Sequence, residues 1–113
     1  MTVTIYHNPR CSTSRKTLAL LRDKGVEPDI VEYLQAPYSA AKLKELLAQL
    51  NLPPSKLVRR KEAAAAGLDP QAMSEDSLIA AMAADPILVE RPIVVANGKA
   101  ALGRPPEAVL EIL

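Results

Sequence analysis

At 113 residues, with 49% apolar and 24% charged side chains, the chain has the size and composition of one soluble globular domain, which excludes a disordered, collagenous or highly charged tail protein. No apolar run reaches the ~18 residues that a membrane span needs. Fourteen Lys and Arg against 13 Asp and Glu leave a net charge of +1, without the basic excess of a nucleic-acid binder, so any anion site has to be built locally from a few residues.

Thr2-Val3-Thr4-Ile5-Tyr6 is β-branched and aromatic and predicts a strand, expected at the centre of a sheet. The N-terminus, Met1-Thr2-Val3-Thr4, has neither a basic region nor an apolar one, so no secretory signal is read and a cytoplasmic location is expected. His7-Asn8-Pro9-Arg10 breaks the strand pattern and predicts a loop. Ser12, Thr13 and Ser14 are good helix N-cap types, and a helix to about Lys24 follows, with Thr17, Leu18 and Leu21 on one face. Gly25 stands where a helix-terminating glycine belongs. Asp29–Leu34 predicts a second strand. The strand–helix–strand unit covers about 33 residues, the length of a βαβ crossover, and implies parallel pairing.

The middle of the chain is helical. Ser39 caps a helix to about Leu50 that carries Leu43, Leu46, Leu47 and Leu50 at helical spacing. Pro53-Pro54-Ser55 starts a short helix leading to the basic cluster Arg59-Arg60-Lys61. Ala63–Ala66 continues as helix to Gly67, and Ser74 caps another helix that ends before Pro86. The last third returns to strand patterning: Ile93-Val94-Val95, the hairpin signal Asn97-Gly98, then Lys99–Leu102. A closing helix is expected over Glu107–Leu113 with proline at its start. The order is β-α-β, helices, then β-β-α, which predicts one α/β domain over residues 1–113: a mixed four-stranded sheet with an all-helical insertion at about 37–88. With no Phe, no Trp and three Tyr, Leu, Ile, Val and Ala have to fill the core.

The chain has one cysteine and one histidine. That excludes an internal disulfide and leaves no residue set for a structural metal site. Cys11 follows a strand and a short loop and stands at the start of a helix, where unpaired N–H groups and the helix dipole favour the thiolate. Arg10 is adjacent and Arg15 one turn on. A lone cysteine is otherwise a small buried apolar residue, but this one lies in a polar, proline-containing loop, which points to a reactive thiol. His7 either acts on that thiol or is a strand-end histidine with a structural hydrogen bond. Arg59-Arg60-Lys61 reads as a solvated basic face. Arg91 and Arg104 each precede a proline and flank the late hairpin, so they are placed to converge, and arginine suits bidentate oxyanion binding. Pro92, just before a strand, is a candidate cis bond.

The run Ile5-Tyr6-His7-Asn8-Pro9-Arg10-Cys11-Ser12-Thr13-Ser14-Arg15 resembles the active-site segment of the glutaredoxin-coupled arsenate reductase family. The resemblance continues at Pro86–Val95 and Gly103–Glu107 and so covers essentially the whole chain. It implies a thioredoxin-like fold with Pro92 as a cis proline facing the nucleophile. It implies that Cys11 attacks arsenate while Arg91, Arg104 and a third arginine, aligned to Arg59 with Arg60 as the alternative register, hold the oxyanion. His7, Asn8, Ser14 and Arg15 match residues used to activate or position the thiol. No bound cofactor or metal is implied, and glutathione and glutaredoxin are the external reductants. Ser12 stands where the best-known members have glycine; with Arg10 it resembles a sister branch. Two readings stand beside this one. The first is a thiol oxidoreductase of the same family with another substrate. The second is a regulator of the Spx type that binds RNA polymerase, although Ser14 replaces the second cysteine of the redox switch such regulators commonly carry.

Overall fold

Burial alternates along Val3–His7: Val3, Ile5 and His7 are buried, while Thr4 and Tyr6 are half-buried. A period of two with one face in a core is what a central strand requires. This is β1 of the computed structural model, which describes residues 2–113. It pairs in parallel with β2 (Asp29–Glu32) and antiparallel with β3 (Ile93–Ala96), and β3 pairs antiparallel with β4 (Lys99–Leu102). The sheet order is β2-β1-β3-β4, with β1 inside as expected. His7 is the last residue of β1, opposite Glu32, so the connecting loop begins at Asn8 rather than at His7. Ladder pairing carries the strand one residue past its β-branched run. Conversely, β2 stops at Glu32, and the chain turns through Tyr33 and Leu34, which were expected to be strand.

Helix α1 (Ser12–Asp23) crosses from β1 to β2. It ends as Gly25 predicts: the Gly25 N–H donates to Arg22 O, the Val26 N–H donates to Leu21 O, and Gly25 takes φ +79. These two bonds satisfy carbonyls that the last turn would leave open. The β3–β4 hairpin turns on Asn97 and Gly98, at φ 56 and 72, the left-handed pair that a tight hairpin needs. The closing segment Pro106–Ile112 is a 3-10 helix, not the expected α-helix. Pro105 and Pro106 supply no N–H donors, and the Ala108 N–H closes onto Pro105 O (3.0 Å), the i→i+3 bond of a 3-10 turn. Its Val109 is fully buried with Val3, Ile5, Leu18, Leu21, Val94 and Ala96 in one cluster. Each such aliphatic side chain contributes roughly 1.5–3 kcal/mol on burial.

The chain separates into two compact units. One is formed by the residues up to Ala36 with Arg91–Leu113, and the other is Pro37–Glu90. The second unit is helical: α2 (Ala40–Leu50), α3 (Pro54–Leu57), α4 (Arg60–Ala65) and α5 (Glu75–Ala84), with 3-10 turns at Pro70–Ala72 and Pro86–Leu88. Ser39 and Ser74 cap α2 and α5 by accepting from Lys42 N (3.0 Å) and Ser77 N (3.1 Å). Leu43, Leu46, Leu57, Leu78, Met82, Leu88 and Val89 form its buried interior. A single antiparallel bridge, Val58 to Val89, is secured by Arg59 N–H to Leu88 O (2.7 Å) and Glu90 N–H to Leu57 O (2.8 Å). Among the described residues, no helix is long and apolar enough to cross a membrane.

Candidate active site

The loop from β1 to α1 is held by its own residues. Asn8 Oδ1 accepts the Arg10 N–H (3.0 Å), and Asn8 O accepts the Cys11 N–H (3.0 Å). An Asn side chain closing on the backbone two residues ahead stabilises such a turn. Arg15 Nη1 donates to Pro9 O (3.0 Å), tying the loop to the first turns of α1. The guanidinium expected to add positive potential at Cys11 is therefore engaged with the loop backbone, one helical turn on from the thiol.

Cys11 is the N-cap residue of α1, in extended conformation, and its thiol is partly exposed. Burial pushes the thiol pKa up. That effect is outweighed by the Ser14 N–H, the positive charge of Arg91, the Thr13 N–H and an Arg91 hydrogen bond to the sulfur, so the net pKa is below the ordinary thiol value. The first-turn N–H groups that no helix carbonyl can reach thus find the sulfur as acceptor.

His7 reaches the α1 side of the sheet because it lies two residues beyond Ile5 on the same face of β1. Its Nδ1 hydrogen-bonds Ser14 Oγ, which also accepts the Asn8 N–H (3.1 Å). Burial lowers the imidazole pKa, opposed by Glu32 and reinforced by Arg22 and Arg15. His7 is therefore neutral near pH 7 and contributes no positive charge beside the thiol. Ser14 joins the two groups: its oxygen meets His7 and its N–H meets Cys11.

The hairpin flanks bring Arg91 and Arg104 together. Arg104 Nη1 donates to Arg91 O (2.9 Å). The Arg91–Pro92 peptide is cis, and so is Arg104–Pro105. Between these residues lies Gly103, whose N–H donates to Pro92 O (3.0 Å). A Cβ at Gly103 would stand 2.5 Å from Thr17 Oγ1 and 2.8 Å from Pro92 Cγ, so only glycine fits there.

Arg59 and Arg60 belong to the helical unit. Arg59 caps α4, with Nη2 3.1 Å from Glu62 Oε1, Nε 4.0 Å from Glu90 Oε1, and Nη1 donating to Ile87 O (3.3 Å). Arg60 begins α4 and is exposed. The basic cluster thus opens a helix rather than ending one, because Val58 is drawn into the bridge to Val89 and breaks the helical run before it. The sequence doublet separates into one arginine held by two carboxylates and one on the surface. Among the described residues, no group of three His, Cys, Asp or Glu side chains is placed to hold a metal.

The protein-family model described as the ArsC family matches residues 6–112. The chain belongs to the ArsC family. It is 54% identical to the uncharacterized protein YfgD of Escherichia coli (strain K12), over 98% of this chain and 96% of that one. It is 48% identical to an arsenate reductase of Rhizobium meliloti (strain 1021), over 100% of this chain and 82% of that protein. The solved structure of an arsenate reductase from Vibrio cholerae superposes with a TM-score of 0.91 at 49% identity, covering 100% of this chain and 98% of that one. The fold is thioredoxin-like, as the resemblance implies.

Chemically, the first unit of this ArsC-family chain presents a partly exposed thiol, two backbone N–H groups and an arginine directed at it. Such a group suits nucleophilic attack on an electron-poor centre and stabilisation of the anion that results. Thr17 and Gly103 were not singled out as site residues from the sequence. The available signal is that Gly103 sits between a strand and Arg-Pro, not at a helix end. In the structure it is also unlike Gly25, Gly67 and Gly98, which all have positive φ.

Proposed function

We propose that the protein is an arsenate reductase. The observation that carries this reading is the Cys11 sulfur at the N-terminus of α1, facing the Ser14 and Thr13 N–H groups and Arg91. Membership of the ArsC family and the likeness to the arsenate reductases named above support the substrate. In this mechanism Arg91, Arg104 and Arg59 orient the oxyanion. The Cys11 thiolate attacks arsenic and displaces one oxygen as water, forming a sulfur–arsenic bond. Glutathione thiolate then attacks the Cys11 sulfur. The sulfur–arsenic bond breaks and its electron pair passes to arsenic, which leaves as arsenite. The Cys11–glutathione disulfide that remains is reduced by glutaredoxin. One arsenate and two thiols give one arsenite, one disulfide and one water. His7, Asn8, Ser14 and Arg15 hold the loop and the sulfur in place, and Arg60 is the alternative third arginine.

The test follows arsenate-dependent oxidation of NADPH with glutathione, glutaredoxin and glutathione reductase present. Oxidation is expected to require the protein, arsenate and both thiol components, and to be abolished in Cys11→Ser and Arg91→Ala. Turnover retained in either variant would sink the mechanism. Cys11 reactivity without any stimulation by arsenate would assign the site to a thiol oxidoreductase with another substrate.

A further inference from the structure

We propose that Gly103 and Thr17 are positioning residues: their contact fixes the hairpin flank carrying Arg91 and Arg104 against the N-terminal turns of α1 that carry Cys11. This rests on the reading of Cys11 and the two arginines as one site.

The observations form a closed circuit. Pro92 is bonded to Arg91, Gly103 donates its N–H to Pro92 O (3.0 Å), Gly103 is bonded to Arg104, and Arg104 Nη1 returns to Arg91 O (2.9 Å). Two peptide bonds and two hydrogen bonds make the flanks of the hairpin one small ring. Thr17 of α1 packs directly on this ring. Thr17 is fully buried: its hydroxyl donates to Thr13 O (2.8 Å), and the same Oγ1 stands 3.4 Å from Gly103 O. Thr13 is one of the two residues whose N–H faces the Cys11 sulfur. Thr17 therefore touches the helix turn that binds the sulfur and the ring that carries Arg91.

The approach is as close as backbone chemistry permits. A methyl at Gly103 would overlap both branches of Thr17, Oγ1 at 2.5 Å and Cγ2 at 2.9 Å, as well as the Pro92 ring at 2.8 Å. Any larger residue forces α1 and the ring apart, and interiors this dense yield by shifting backbone rather than by compression. Arg91 acts on the sulfur by charge and by a hydrogen bond, and the bond falls off steeply with displacement. A shift of the ring is thus transmitted to the thiol, although neither Gly103 nor Thr17 needs to touch a substrate.

The experiment measures the pH dependence of Cys11 alkylation by iodoacetamide in the folded protein, which needs no arsenate and stands or falls separately from the proposed reductase activity. Gly103→Ala is expected to move the midpoint upward by about half a pH unit, a roughly threefold slower reaction below the midpoint. The Thr17→Ser/Gly103→Ala double variant keeps the hydroxyl, removes the Cγ2 overlap and leaves Oγ free to turn away, and is expected to move the midpoint back toward that of the parent. Thr17→Val keeps the shape and loses the hydroxyl, so its midpoint is expected to rise, while Thr17→Ser retains the parental value. A Gly103→Ala protein that loses thermal stability but keeps the parental midpoint overturns the proposal. If Gly103→Ala does not fold, the threonine pair decides: coincident profiles for Thr17→Val and Thr17→Ser overturn it, and separated ones support it.

Discussion

Ser14 Oγ and His7 Nδ1 share a hydrogen bond between two buried side chains, and the same oxygen accepts the Asn8 N–H. A hydroxyl has one hydrogen to give. The arrangement that satisfies all three groups has Ser14 donating to an unprotonated Nδ1 while it accepts from Asn8, which assigns the neutral Nε2–H tautomer to His7. The histidine is then an anchor for Ser14 rather than a cation beside the thiol.

Ser14→Ala is expected to leave both the His7 Nδ1 and the Asn8 N–H without that oxygen. Burying such groups unpaired costs about 1–3 kcal/mol. Urea denaturation should show a lower midpoint with an unchanged slope. A variant as stable as the parent would remove the hydrogen bond from the account of the loop.

The lowered His7 pKa makes stability depend on pH in a defined direction. Burial is the main cause, and in the unfolded chain the group titrates near 6.5. Below that value the unfolded state binds a proton that the folded state resists, so stability is full above about 6.5 and falls as pH drops toward the folded value. His7→Gln should flatten this dependence between neutral and mildly acidic pH. Denaturation curves across that range, for both proteins, check it; parallel loss of stability in both would assign the effect to other groups.

Cys11 should alkylate with a midpoint below the ordinary thiol value, because the Ser14 and Thr13 N–H groups and Arg91 together outweigh the effect of burial. Arg91→Ala removes both the charge and the hydrogen bond from the arginine and should raise that midpoint. Arg91→Lys keeps the charge and should fall between the two. An unmoved midpoint in Arg91→Ala would leave the helix N-terminus as the sole activating element.

The two adjacent arginines should separate in mutagenesis. Arg59→Ala loses ion pairs to Glu62 and Glu90 and a bond to Ile87 O, and is expected to cost about 1 kcal/mol. Arg60→Ala, on the surface, should stay within about 0.5 kcal/mol of the parent. If Arg59 is the third oxyanion arginine, its removal should also raise the KM for arsenate by roughly tenfold or more, the scale of one lost charge-assisted bond. Arg60→Ala should leave KM unchanged. The opposite pattern would move the role by one residue.

Features written in neighbouring residues were legible from the sequence. The β1–α1–β2 unit, the Gly25 helix end, the Ser39 and Ser74 caps and the Asn97-Gly98 hairpin each depend on a few consecutive positions, and all are present. Cys11 at a helix start was legible for the same reason. What stayed hidden depends on residues distant in sequence. The Val58–Val89 bridge interrupts a helical run that local propensity would continue. Thr17 and Gly103 look ordinary until the fold sets them against one another across 86 positions. The engagement of Arg15 with Pro9 O was likewise invisible, since spacing along a helix does not say which way a long side chain turns.

Because Arg104 grips the carbonyl of Arg91, the two are not independent contributors. Removing Arg104 takes away a cation and also loosens the other one, so the single losses overlap. In a double-mutant cycle the combined variant should fall short of the sum of its parts, with a coupling free energy of about 0.5–3 kcal/mol. The hairpin flanks therefore carry one jointed cationic arm rather than two separate ones, and a substitution at either position is felt at both.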